Sequence, residues 1–143
     1  MNQSVHFAPG QYYIGDTCYV MHPEWDEVCE ITIDDNHCKE GIFELNDGRE
    51  FGLWHTAYGD GTYLDNEGRE YWVDSGSIGI IAVDDITESE KENITSGNVI
   101  NFDKSFRVFC ENGLFEFGHI RIDTRDEFDS ESDNDYSDEC YNY

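Results

Sequence analysis

Apolar side chains alternate with polar ones along most of the first 123 residues, and glycines break the alternation at short intervals. That spacing predicts short antiparallel strands joined by tight turns. Residues 11–20 (QYYIGDTCYV) read as a strand pair or one bent strand, interrupted at Gly15–Asp16 as by a bulge or turn. Two similar hairpins follow, residues 41–54 and 61–73, each containing N-(D/E)-G-R-E-(F/Y). A two-residue loop in the first would set Phe43 opposite Gly52, whereas a loop of Asn46, Asp47 and Gly48 pairs Leu45 with Arg49 and Phe43 with Phe51. The second register gathers the apolar residues on one face and is the one expected, with Gly48 left-handed. The same logic pairs Tyr63 with Tyr71 and Asp65 with Arg69. Residues 78–83 (IGIIAV) form a continuous apolar run, the mark of a central strand covered on both faces. Residues 98–102 and 119–123 give two more strands. Between them Asn112–Gly113 signals a two-residue hairpin that aligns Phe106, Val108 and Cys110 with Phe115 and Phe117.

One short helix is expected near residues 23–31. Pro23 suits its first turn, Glu24, Asp26 and Glu27 suit its positive end, and Trp25, Val28, Cys29 and Ile31 share a face. Residues 33–40 read as a polar connection and 84–97 as a loop or one helical turn. The fold expected is mainly β: a small antiparallel barrel or sandwich of eight to ten strands plus that helix. Residues 1–10 would form an N-terminal arm, 11–123 the β domain, and 124–143 a disordered acidic tail too poor in apolar residues to offset ordering entropy.

Charge changes the picture from fold to function. The chain carries 33 acidic and 8 basic residues, a net charge of −25. The tail from Asp123 holds 9 of those acids and 1 arginine, so residues 1–122 alone carry −17. A surface so poor in Lys and Arg excludes direct nucleic-acid binding and disfavours anionic membranes. No run approaches a membrane span and the first ten residues are too polar for a secretory signal. Five cysteines without a regular framework point to a reducing interior with free thiols, in which the sequons at Asn2 and Asn93 carry little meaning.

Candidate chemistry concentrates in residues 55–63 (HTAYGDGTY), where Gly59 and Gly61 would let backbone approach a ligand or turn sharply. The plainer reading is a tight connection, with Asp60 accepting local backbone hydrogen bonds. A nucleophilic site could be assembled from Cys18, His55 and Asp60 if the fold brought them together, but a cysteine in an apolar strand is more often a small buried hydrophobe. Zinc ligands at Cys29, His37 and Cys38 (with His22 nearby) lack finger spacing, and calcium ligands at Asp60, Asp65, Asn66 and Glu67 lack the EF-hand pattern. No cofactor fingerprint is present.

The blocks YYIGDTCYV, TAYGDGTY and VDSGSIGII, in this order, resemble those of small uncharacterised proteins of large DNA viruses, phages and bacteria. Those relatives share YIGD-x-CYV, TAYGDG-x-Y and VDSG-x-IG, and the resemblance spans roughly residues 11–83. It implies a viral or microbial setting and transfers no activity. Many relatives have proline where this chain has Thr17. The blocks allow Asp16, Asp60 and Asp74 to cap turns at one end of the fold, forming a polar rim around Tyr58 and Tyr63. The candidate binding residues are therefore Asp16, Cys18, His55, Tyr58, Asp60, Tyr63 and Asp74, with no catalytic or metal set assigned. The function expected is non-enzymatic: an acidic protein, intracellular in a host cytoplasm or nucleus or carried in a virion, that engages a basic protein partner. The rival readings are a structural virion component, a DNA mimic that occupies a nucleic-acid-binding protein, and a small-ligand binder or hydrolase using Asp16, Cys18, His55 and Asp60.

Overall fold

The computed structural model describes residues 5–34 and 37–125. Its strands are β1 (Val5–Phe7), β2 (Gly10–Gly15), β3 (Ile33–Asp34), β4 (His37–Cys38), β5 (Gly41–Glu44), β6 (Glu50–His55), β7 (Gly61–Leu64), β8 (Glu70–Val73), β9 (Ser77–Ala82), β10 (Asn98–Phe102), β11 (Phe106–Glu111), β12 (Leu114–Phe117) and β13 (Ile120–Asp123). Helix α1 spans Trp25–Thr32, and 3-10 turns cover Thr17–Tyr19, His22–Glu24, Val83–Asp85 and Glu88–Ser96. The protein is mainly β, as the alternation predicts. Its sheets do not close into a barrel; they pack as a sandwich with a helical layer added.

One sheet has the order β1-β11-β12-β13 and the other β10-β2-β9-β6-β5, and all pairings are antiparallel. The second sheet is buried on both faces because its central strands are apolar at successive positions. Tyr12 and Ile14 of β2, Ile78 and Ile80 of β9 and Phe102 of β10 point toward the first sheet and meet Phe106, Val108, Phe115, Phe117, Ile120 and Ile122. Tyr13, Phe51, Leu53 and Ile81 point the other way, against Val20, Met21, Val28 and Ile86 of the helical layer. The run 78–83 thus occupies the central, doubly covered place expected of it. Gly79 allows the closeness of this packing: a Cβ there would collide with the Gly52 carbonyl oxygen and approach Thr17 Cγ2 to 2.9 Å.

The hairpin registers follow the turn chemistry. Phe43 pairs with Phe51 and Leu45 N–H donates to the Arg49 carbonyl, with Gly48 at φ 98°. Tyr63 pairs with Tyr71 and Asp65 N–H donates to the Arg69 carbonyl, with Gly68 at φ 88°. Cys110 pairs with Phe115 and Val108 with Phe117 around Asn112–Gly113.

The structure extends the expected set of strands in two places. Residues 5–7, assigned to an arm, pair with β11, and the polar connection 33–40 contains the two-residue pair β3–β4. Each piece is too short to show a period. Helix α1 starts two residues later than Pro23, which instead lies in the preceding 3-10 turn. The ribbon β7–β8 spans the gap between the sheets. Asp65 bridges to Ile122 of the first sheet, the Asn98 side chain of the second donates to the Glu70 carbonyl, and Tyr71 and Val73 enter the core between them. Apart from Thr124 and Arg125, the tail 124–143 lies outside the described residues.

Candidate functional site

The first and third sequence blocks meet at a buried carboxylate. Asp16 ends the chain's run along β2 and is fully buried. Its Oδ1 accepts from Cys18 N–H (3.0 Å) and the Ser75 hydroxyl (2.8 Å). Its Oδ2 accepts from the backbone N–H groups of Asp74 and Ser75, both at 2.6 Å. Charge-assisted bonds of this kind are stronger than neutral ones. Asp16 therefore caps the 3-10 turn at 17–19 and fastens it to the 74–76 turn, nearly 60 residues away in sequence.

The central block is tied to the same turn. Thr56 N–H donates to the Gly76 carbonyl at 3.1 Å. The hydroxyls of Thr56 (2.7 Å) and Tyr63 (2.8 Å) both donate to the Gly59 carbonyl. Thr56 and Tyr63 thus hold the Tyr58–Gly61 connection, in the place where Asp60 was expected to do so. Tyr58 is 61% exposed, and Asp60 and Asp74 are exposed together at one end of the ribbon β7–β8. Of the residues singled out in sequence, Asp16 and Asp74 come together directly, Tyr63 and Asp60 are neighbours, and Asp16 is structural, not part of an open rim.

Cys18 and His55 have separate surroundings. Burial pushes the Cys18 thiol far above the ordinary thiol range, and the adjoining Asp16 carboxylate and Asp74 push it in the same direction. A thiol so placed stays protonated and is a poor nucleophile. Burial lowers the His55 pKa, against the opposing pull of Glu40 and of the Cys38 backbone. Its Nε2 is buried with no hydrogen-bond partner among the described residues. The charged neighbours of the thiol are Asp16 and Asp74, whereas that of the imidazole is Glu40. Cys18, Cys29 and Cys110 are free, whereas Cys38 is disulfide-bonded, against the expectation of free thiols throughout. Among the described residues, no three His, Cys, Asp or Glu side chains gather to hold a metal ion, and no helix is long and apolar enough to cross a membrane.

A second buried carboxylate was not singled out as a site. The Asp65 side chain accepts from the Tyr71 hydroxyl (2.7 Å), Glu67 N–H (2.8 Å), Arg69 N–H (3.0 Å) and the Arg69 guanidinium (3.1 Å). Burial alone would raise its pKa, but these donors outweigh burial and hold it below the usual carboxylate range. A signal was available in the repeated hairpin. Leu45 and Phe51 of the first become Asp65 and Tyr71 in the second, so an apolar pair is replaced by a hydrogen-bonded one at the same register.

No family model, curated protein or solved structure matches the chain.

Proposed function

We propose that this is a non-enzymatic, virus-encoded acidic protein that acts by binding a basic protein partner, inside the host cell or within a virion. The observation that carries the reading is how the charges are used. Six of the eight basic residues (Arg49, Arg69, Lys91, Arg107, Arg121 and Arg125) lie within ion-pair distance of carboxylates of the same chain. These cations are largely neutralised in place, and the large carboxylate excess is left for solvent or a partner. A field of that sign steers cationic surfaces toward the protein and repels phosphate.

Two of the candidate residues, with the hydroxyls bonded beside them, support the same reading from the other side. Asp16, Thr56, Tyr63 and Ser75 spend their polar atoms on backbone and on one another. The Cys18 thiol is held in its unreactive form. The test is capture from host lysate on the immobilised full chain, at low and at high salt, with mass spectrometry of what is retained. The expected result is basic proteins retained at low salt and released at high salt. Retention of no basic protein at low salt would overturn the proposal.

A further inference from the structure

Most large apolar side chains of the described residues are covered, which makes the exceptions informative. Among the described residues three large hydrophobics are strongly exposed: Tyr58, Leu64 (52%) and Trp72 (52%). Two of them lie on one face of the ribbon β7–β8. The register pairs Thr62 with Trp72 and Leu64 with Glu70, so these four side chains project from one face. Tyr63 and Tyr71 project from the opposite face, toward the core. Leu64 and Trp72 are diagonal neighbours, close enough to form one apolar strip.

The strip is framed by acids. Glu70 lies within it. Asp60 and Asp74 follow directly on the last paired residues, Gly61 and Val73, and so flank one end. Glu67 lies in the loop at the other end, and all four residues are exposed. The ribbon's one cation, Arg69, is committed to Asp65 and Glu67. A strand-adding partner is disfavoured at two points of the ribbon's edges: Asp65 bridges to Ile122, and the Glu70 carbonyl already accepts from Asn98. The outward face, not an edge, is what remains for contact.

Building on the basic-partner reading above, we propose that the outward face of β7–β8 is the docking surface, and that its occupant is an arginine-rich segment of the partner protein. A guanidinium stacks on an exposed indole while its neighbours meet Asp60, Glu70 and Asp74, so Trp72 and the carboxylates act on the same ligand. Arginine is favoured over lysine because its planar group stacks and forks onto carboxylates. A second copy of this chain is a poor occupant: two bodies of charge −25 repel, and the strip carries the same sign as the rest.

The test uses the full chain with fluorescein-labelled deca-arginine and deca-lysine as probes, followed by anisotropy at about 150 mM salt, where long-range attraction is screened. Trp72→Ala is expected to weaken deca-arginine binding about tenfold, the scale of a desolvated cation–π contact. Leu64→Ser should weaken it by less, and the pair Glu88→Gln/Glu92→Gln, which lies outside the ribbon, should leave it within about twofold. Deca-lysine should bind more weakly than deca-arginine and respond less to Trp72→Ala. As a check free of any variant, titrating the unmodified chain with deca-arginine should shift the Trp72 indole N–H resonance. If the wild-type chain binds deca-arginine but Trp72→Ala stays within about twofold and the indole resonance does not move, the docking face is wrong and the basic-partner reading stands. If the wild-type chain binds neither probe even at low salt, both fall.

Discussion

Replacing Asp16 should damage the fold in proportion to the acceptors removed. In the wild type three backbone N–H groups and one hydroxyl converge on this fully buried carboxylate. In Asp16→Asn the amide nitrogen does least harm in the Oδ1 position, where the Ser75 hydroxyl can rotate to accept from it. Cys18 N–H then loses its acceptor, at about 1–2 kcal/mol for an orphaned buried donor. The surviving bonds lose their charge assistance, a further ~0.5 kcal/mol each. The total is about 3 kcal/mol. In Asp16→Ala all three N–H groups are orphaned, and the loss rises to about 4–5 kcal/mol. Urea unfolding followed by tryptophan fluorescence measures this directly. With a slope of about 1.5–2 kcal/mol per molar, Asp16→Asn should lower the midpoint by roughly 1.5–2 M. The exposed Asp60→Asn should shift stability by less than ~0.5 kcal/mol. If both Asp16 variants cost under about 1 kcal/mol, or if Asn costs as much as Ala, the clasp is not what holds the 74–76 turn.

Further outcomes follow from other parts of the molecule. The folded-state pKa of Asp65 is depressed, so its contribution is present above the unfolded carboxylate pKa and disappears as pH falls through the folded value. Tyr71→Phe removes one of the donors responsible, costs about 1.5–3 kcal/mol, and should move the acid-unfolding midpoint to higher pH in a fluorescence titration. Glu44 and Glu50 lie directly opposite each other across β5–β6, so Glu50→Lys should stabilise by about 0.5 kcal/mol in urea unfolding, with the gain fading in salt. Gly79→Ala drives a methyl into the Gly52 carbonyl and should cost about 3 kcal/mol or prevent folding, read by thermal unfolding. Cys18 and Cys110 are both held above the ordinary thiol range, so a thiol reagent at pH 8 should label them far more slowly in the folded chain than in urea.

What could be read from sequence was whatever is decided within a few residues. The registers of three hairpins follow from where Gly48, Gly68 and Asn112–Gly113 must sit, since a one-residue slip would turn Phe43, Tyr71 or Phe115 out of the core. The apolar run at 78–83 announces a doubly covered strand for the same reason. Long-range partnerships left no such trace. That β2 lies between β10 and β9, or that β1 adds to β11, depends on residues tens of positions apart. The Asp16 clasp is the clearest case. In sequence the aspartate reads as a turn residue, but its acceptors' distant partners lie at Asp74 and Ser75, and nothing local distinguishes a carboxylate that builds a rim from one buried under it. The polar pair Asp65–Tyr71 shows only when the two hairpins are aligned, because a charged residue in a hairpin usually faces water.

In the proposed function the residues around Asp16 are spent on the fold, and the acidic exterior does the binding. The affinity of the full chain for a captured basic partner, measured against salt concentration for the wild type and for Cys18→Ala and His55→Ala, tests both at once. The account predicts a steep fall of affinity with salt that is the same in all three proteins. Binding that ignores salt, or that vanishes when Cys18 or His55 is replaced while the chain remains folded, would contradict it.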